Sequence, residues 1–180
     1  MKQIFCVLLL LILVISCNSE SKIQQTKKYF DLKGLIEKQI KILNAQKPIV
    51  EKSIMIADSA ENQFVNTIDW AKELELFIQA DLNKPAFVQS YQVDSSSMGV
   101  RYTLKNTEKL PVKYLSMRRI GEDGISIEAF MSNDNYLYQT ERTLKFFLRN
   151  SQIVDYQIDG FQKIVFGDKK VFRIKGIIQQ

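Results

Sequence analysis

The chain contains no histidine and only two cysteines, Cys6 and Cys17, in 180 residues. Both cysteines fall in the N-terminal segment, so everything from Asn18 onward lacks a thiol and can form no disulfide. These absences exclude Ser-His-Asp and Cys-His catalysis, zinc sites built on His or Cys, and haem held by His. Carboxylates, lysines, tyrosines and hydroxyls are what remain for any chemistry. The sequence also lacks internal repeats, low-complexity tracts and a recognisable interdomain linker. A long apolar run is missing too. The N-terminal one, Phe5 to Ile15, falls short of the about 20 residues needed to cross a bilayer as a helix.

What is present begins with charge. Taking Lys2 from the 25 Lys and Arg residues leaves a surplus of four over the 20 Asp and Glu. That surplus is spread along the chain, as on a solvated surface, and gives no nucleic-acid footprint. Lys2, the apolar run and the small residue Ser16 follow the order of a secretory signal peptide. Val14-Ile15-Ser16-Cys17 then resembles the lipobox of bacterial lipoproteins, in which branched or small residues precede an obligatory cysteine. The resemblance implies cleavage between Ser16 and Cys17 and lipid on the Cys17 thiol. Each buried methylene adds about 0.8 kcal/mol, and two or more chains anchor stably.

The expected division is therefore a cleaved signal over 1–16, a lipidated cysteine and tether over 17–28, and one globular domain over 29–180. The polar stretch from Asn18 to Lys28 cannot pack a core. As a flexible coil it reaches about 20 Å.

From Tyr29 to Asn44, Leu32, Leu35, Ile36, Ile40 and Leu43 recur at helical spacing, with Asp31 placed to cap and Pro48 beyond the end. Val50 to Ile56 alternates and suits a short strand as well as a helix, with the strand preferred. A second helix is expected from Trp70, capped by Thr67 or Asp69, with Trp70, Leu74, Phe77 and Ile78 on one face and Asn83-Lys84-Pro85 ending it.

Beyond Phe87 the period changes to two. Strands are expected around Val100–Lys105, Val112–Ile120, Ile125–Met131, Tyr136–Arg149, Ile153–Ile158, Phe161–Phe166 and Val171–Ile178. Turns fall at Gly121–Gly124, Ser132–Asn135, Asn150-Ser151, Asp159-Gly160 and Gly167-Asp168. Connections this short join antiparallel neighbours. The expected fold is α+β: two N-terminal helices packed on a curved antiparallel meander sheet of six or seven strands.

Seven strands about 4.8 Å apart make a sheet of roughly 30 Å, of which two helices cover roughly 20 Å. The remaining apolar face needs a cover. Trp70, Phe77, Tyr102, Leu104, Ile127, Phe146, Phe172 and Ile174 are the candidates to line a groove there, or else to form ordinary core. Among polar groups, Glu122-Asp123 reads as a turn, and Asp155 with Asp159 lacks the oxygen-rich loop of a calcium site. Arg118-Arg119 and the basic stretch Lys169-Lys170 to Lys175 read as solvated, and Ser95-Ser96-Ser97 reads as a loop. No catalytic residue, metal site or cofactor is expected.

Three functions fit this outline. The first is a non-enzymatic module for an apolar small molecule, a lipid or an envelope protein partner. The second is a scaffold subunit closing an edge strand, and the third a glycan hydrolase using carboxylates such as Glu128 and Glu141. The lipobox, the tether, Asp69-Trp70-Ala71-Lys72-Glu73-Leu74 and Asn83-Lys84-Pro85-Ala86-Phe87 together resemble lipoproteins of the Bacteroidota. That resemblance implies an envelope location and no particular activity. Asn18 after the cysteine resembles outer-membrane sorting signals, while Glu20 beside Lys22 departs from the acid-rich signal for surface export. The expected site is the periplasmic leaflet of the outer membrane.

Overall fold

The computed structural model describes residues 27–179. Cleavage at Ser16, lipidation at Cys17 and the tether before Lys27 lie outside the described residues. The α+β class holds, with a larger sheet and shorter helices than the sequence pattern suggests.

Helix α1 (Leu32–Gln46) starts where Asp31 accepts a hydrogen bond from the Gly34 N–H at 3.0 Å. Leu32, Ile36, Gln39 and Leu43, spaced by three and four, are its buried stripe. Lys47 ends it in a left-handed conformation, its N–H donating to the Leu43 carbonyl. The chain then forms a hairpin, β1 (Val50–Ile56) and β2 (Ser59–Val65), turning at Ala57-Asp58.

The expected second helix is two short pieces, α2 (Trp70–Glu73) and α3 (Glu75–Gln79), broken at Leu74. Asp69 caps the first piece by accepting from the Lys72 N–H. The break leaves Leu74 and Phe77 buried while Glu73 reaches β1 and the later strand carrying Tyr156.

A 3-10 turn at Pro85–Phe87 leads into seven consecutive strands. These are β3 (Tyr91–Ser96), β4 (Gly99–Leu104), β5 (Val112–Ile120), β6 (Gly124–Asp134), β7 (Tyr138–Arg149), β8 (Gln152–Ile164) and β9 (Lys170–Ile178). Each pairs antiparallel with the next, and β1 pairs antiparallel with β9. The spatial order is β2-β1-β9-β8-β7-β6-β5-β4-β3.

Two expected turns differ: the one at Ser132–Asn135 falls at Asn135–Leu137, because Ser132, Asn133 and Asp134 continue β6 opposite Glu141, Thr140 and Gln139, and a second is absent. Asp159-Gly160 lies inside β8, not between two strands. Glycine is needed there because a Cβ would sit 2.3 Å from the Glu141 carbonyl oxygen and 3.0 Å from the Phe172 ring. The ring lies across β8 at that point. The relation is reciprocal: at Gly176 in β9 a Cβ would sit 2.3 Å from the ring of Tyr156 in β8. The Asn150-Ser151 turn is as expected, with both residues at positive φ between the paired Arg149 and Gln152.

The core lies between the helices and one face of the sheet. Leu115 of β5, Ile127 of β6, Leu144 and Phe146 of β7 and Tyr156 of β8 are buried there against α1, α2 and α3. Fully burying a side chain of this size contributes about 1.5–3 kcal/mol. Aromatic rings meet edge to face, Phe77 with Phe146 at 5.3 Å and Trp70 with Tyr156 at 6.3 Å between centroids. Gln39, fully buried, donates to the Ser151 carbonyl and accepts from the Ile153 N–H, tying α1 to the β7–β8 turn.

Asn83 fastens the start of the domain. Its amide accepts from the Tyr29 N–H at 2.9 Å and donates to the Phe30 carbonyl at 3.0 Å, while buried Asp81 accepts from the Lys33 N–H. Asn83→Ala is expected to cost about 2–3 kcal/mol, the loss of partly buried hydrogen bonds at about 1 kcal/mol each with their backbone partners left unpaired. Thermal unfolding of the variant beside Asn83→Asp, which keeps only the acceptor, measures it. An unchanged midpoint for Asn83→Ala would contradict the assignment.

Candidate functional site

The sheet face that packs on the helices continues past them. Toward the end of the sheet where the β1–β2 and β8–β9 hairpins close, the inward positions are Ile56 of β1, Phe172 and Ile174 of β9, and Gln162 and Ile164 of β8. Their register follows from the core: Ile158 opposite Ile174, Gly160 opposite Phe172, and Phe172 opposite Ile56. These side chains line a groove of about 480 Å³, with Gly167, Asp168 and Lys170 at its rim. Its walls are aliphatic and aromatic, and Gln162, Asp168 and Lys170 are the polar groups beside them. Gly160 lies beside the Phe172 ring, and an added Cβ there would crowd the Glu141 carbonyl at 2.3 Å and the ring at 3.0 Å.

The residues expected to line a groove divide sharply. Trp70, Phe77, Tyr102, Ile127 and Phe146 are core, sealed by helices and neighbouring strands, and offer no surface to a ligand. Leu104 is half-buried on β4, packed against that core. Phe172 and Ile174 line the groove that is present. Alternation marked those two as inward facing. Ile56, Gln162 and Ile164 were missed, because their meeting depends on β1 lying beside β9, a pairing across more than a hundred residues.

The polar candidates sit elsewhere. Glu122 and Asp123 are exposed in the β5–β6 turn, and Arg118 and Arg119 are exposed at the end of β5. Ser95 and Ser96 belong to β3, and the turn is confined to Ser97-Met98. On the outer face of the sheet Glu128 accepts a hydrogen bond from the Tyr114 hydroxyl and pairs with Lys145 at 3.1 Å. Burial pushes the Glu128 carboxyl up, but these partners, with Arg101 nearby, hold it below its ordinary value. It is an occupied acceptor in a ladder that also stacks Arg101 on Tyr114 at 3.8 Å. Glu141 lies on the same outer face, in β7 opposite Ser132. Asp159 pairs with Arg173, whereas partial burial raises the carboxyl of Asp155 against the pull of Lys175 and Arg149.

Beneath the helices, Glu73 joins Lys52 of β1 at 2.7 Å and accepts from the Tyr156 hydroxyl at 2.7 Å. Burial, then Glu73, pushes the Tyr156 phenol far above its usual range, so it remains a donor. Trp70 packs edge to face with the Tyr156 ring, and the Lys52 and Glu73 side chains keep only 16% and 15% exposure.

Among the described residues no group of three His, Cys, Asp or Glu side chains could hold a metal ion. Among them, too, no helix is long and apolar enough to cross a membrane. No protein-family model matches the chain, and neither a curated protein nor a solved structure matches it.

Proposed function

We propose that the chain is a lipid-anchored protein of the cell envelope, held through Cys17 at the periplasmic side of the outer membrane. It acts as a non-enzymatic module that takes an apolar ligand, such as an acyl chain, in the groove over β1, β9 and β8. The groove itself carries the reading. Nine strands at about 4.8 Å make a sheet of about 40 Å if flat, more than the helices cover. The uncovered part is a concavity lined by Ile56, Ile164, Phe172 and Ile174, within the size range of small-molecule sites. Burial of apolar surface supplies the affinity, and the groove's few polar groups orient the ligand.

Native mass spectrometry of the mature chain, taken from the bacterial envelope, tests this. A discrete added mass that dissociates as a lipid or small apolar molecule is expected. Phe172→Ala should weaken its retention at least about tenfold, equivalent to about 1.4 kcal/mol. That is less than a fully buried phenylalanine contributes. A bare monomer overturns the reading.

A second reading, a scaffold subunit, is favoured by β2. This edge strand is exposed along nearly its whole length and presents Phe64 to solvent. An uncovered edge of this kind can accept a strand from a protein partner. A stoichiometric partner or a dimer in mild detergent extracts, lost on Phe64→Lys, would favour it over the groove.

A further inference from the structure

The exposed apolar side chains are unevenly placed. Tyr136 and Leu137 of the β6–β7 turn, Ile164 at the end of β8, Val165 and Phe166 of the β8–β9 turn, and Val171 of β9 stand at one end of the sheet. Phe166 is 101% exposed and Tyr136 84%, so neither packs on the protein. The two tips are joined, since the Val165 N–H donates to the Leu137 carbonyl at 3.0 Å. Lys163, Lys169 and Lys170 flank them, with Asp134 and Asp168 the acids on the same tips.

The N-terminal segment enters the fold at that same end. Tyr29 packs edge to face on Tyr91, the first residue of β3, and its hydroxyl donates to the Val88 carbonyl. Tyr91 in turn donates to the carbonyl of Val112, the first residue of β5. By register, the starts of β3 and β5 lie at the end where the β1–β2, β6–β7 and β8–β9 hairpins close.

We infer that the paired β6–β7 and β8–β9 tips dock into the surface of the lipid bilayer, with Phe166 and Tyr136 in the interfacial layer. This inference rests on the proposed Cys17 anchor for proximity, and on nothing about the groove's ligand. Tyr136, with an apolar ring and a polar hydroxyl, suits headgroup depth, and the wholly apolar ring of Phe166 buries at the headgroup–acyl boundary beneath it. The flanking lysines extend to phosphate oxygens while their stems lie along apolar surface. Two narrow projecting tips suit a soft interface; a protein partner would need a broad complementary surface of about 800 Å² on each side. The chain between Cys17 and Tyr29 can span at most about 40 Å even fully extended, which keeps this end of the sheet near the bilayer. The groove rim at Gly167, Asp168 and Lys170 belongs to the same β8–β9 hairpin, so docking sets its mouth against the lipid.

The test places an indole at either end of the full mature chain, with Phe166→Trp at the tip and Met98→Trp in the β3–β4 turn at the far end. The chain is combined with vesicles of phosphatidylethanolamine and phosphatidylglycerol whose acyl chains carry bromine, a short-range quencher. The buried Trp70 is common to both variants and sets the baseline. The indole at 166 is expected to lose most of its emission and that at 98 to keep it. Neutralising Lys163, Lys169 and Lys170 by Gln should lower the equilibrium constant for docking about fivefold per lysine.

Quenching at neither position overturns the inference, whether the tips then face water or another protein. Equal quenching at both overturns it as well, because the domain would have no fixed orientation. The mass of the chain reports lipid on Cys17, and native mass spectrometry reports the groove's ligand. Failure of either is therefore distinguishable from failure of docking.

Discussion

Gly176→Ala is expected to destabilise the domain by about 3 kcal/mol, the upper part of the range for overpacking a core. An added Cβ would lie 2.3 Å from two ring carbons of Tyr156 and 2.5 Å from its hydroxyl oxygen. The ring cannot yield easily. It is fully buried, its hydroxyl is bound to Glu73, and its face is met by the edge of Trp70. At about 2–4 °C per kcal/mol for a chain of this size, the unfolding midpoint should fall by about 6–12 °C. A Tyr156→Leu background removes the opposing ring. The cost of Gly176→Ala should shrink there, and the double-mutant cycle reads the coupling directly. Equal cost in both backgrounds would mean that the glycine answers to something other than Tyr156.

The second large effect belongs to Glu73. Its carboxylate serves Lys52 and Tyr156 together, and the side chains of the ion pair are only 16% and 15% exposed. Glu73→Ala leaves an ammonium with little water and a buried phenol without its acceptor. Removing one partner of a buried pair typically costs about 3–5 kcal/mol, and the residual exposure places this one near 3 kcal/mol. Glu73→Gln keeps an acceptor for the phenol and should cost about half as much. Lys52→Met combined with Glu73→Leu should recover most of the loss, since removing both charges leaves only the phenol unpaired. Urea unfolding of the three variants measures the ranking. A Glu73→Ala domain as stable as the parent would show that the pair contributes nothing net.

Much of this architecture was legible before any coordinates. Asp31 and Asp69 announced their caps because a short acceptor followed by a helical apolar stripe has few other uses. Six of the seven strands from Tyr91 to Ile178 were visible in their alternation and in turns such as Asn150-Ser151, with β8 read as two pieces; β3 was missed, because Ser95-Ser96-Ser97 at its end read as a loop. What failed did so for particular reasons. β2, Ser59-Ala-Glu-Asn-Gln-Phe-Val65, is an exposed edge and leaves no buried face in its sequence, and its turn at Ala57-Asp58 has no glycine. Asp159-Gly160 looked like a turn because glycine usually marks one. Here it makes room for an aromatic ring from the next strand.

The candidate site was harder still. Alternation says which residues face inward, not which inward residues a helix will cover. Trp70 and Phe77 lie on α2 and α3 themselves and, with Phe146 beneath them, are sealed against the sheet. The groove fell to Phe172, Ile174 and the smaller residues beside them. Their neighbour Ile56 comes from a hairpin that the sequence places on the far side of two short helices.

The pairing of β1 with β9 also sets a clock. The first hairpin, complete by Val65, has one open flank, and the strand that fills it, Lys170–Ile178, is among the last stretches of the described chain to be made. Contacts of such separation close slowly, because the intervening loop must be ordered before they repay it. A ribosome emitting this chain therefore releases the β1–β2 hairpin long before the strand that joins it to the rest of the sheet. Until β9 emerges, β1 keeps one flank open and the hairpin has no link to the strands from β3 to β8.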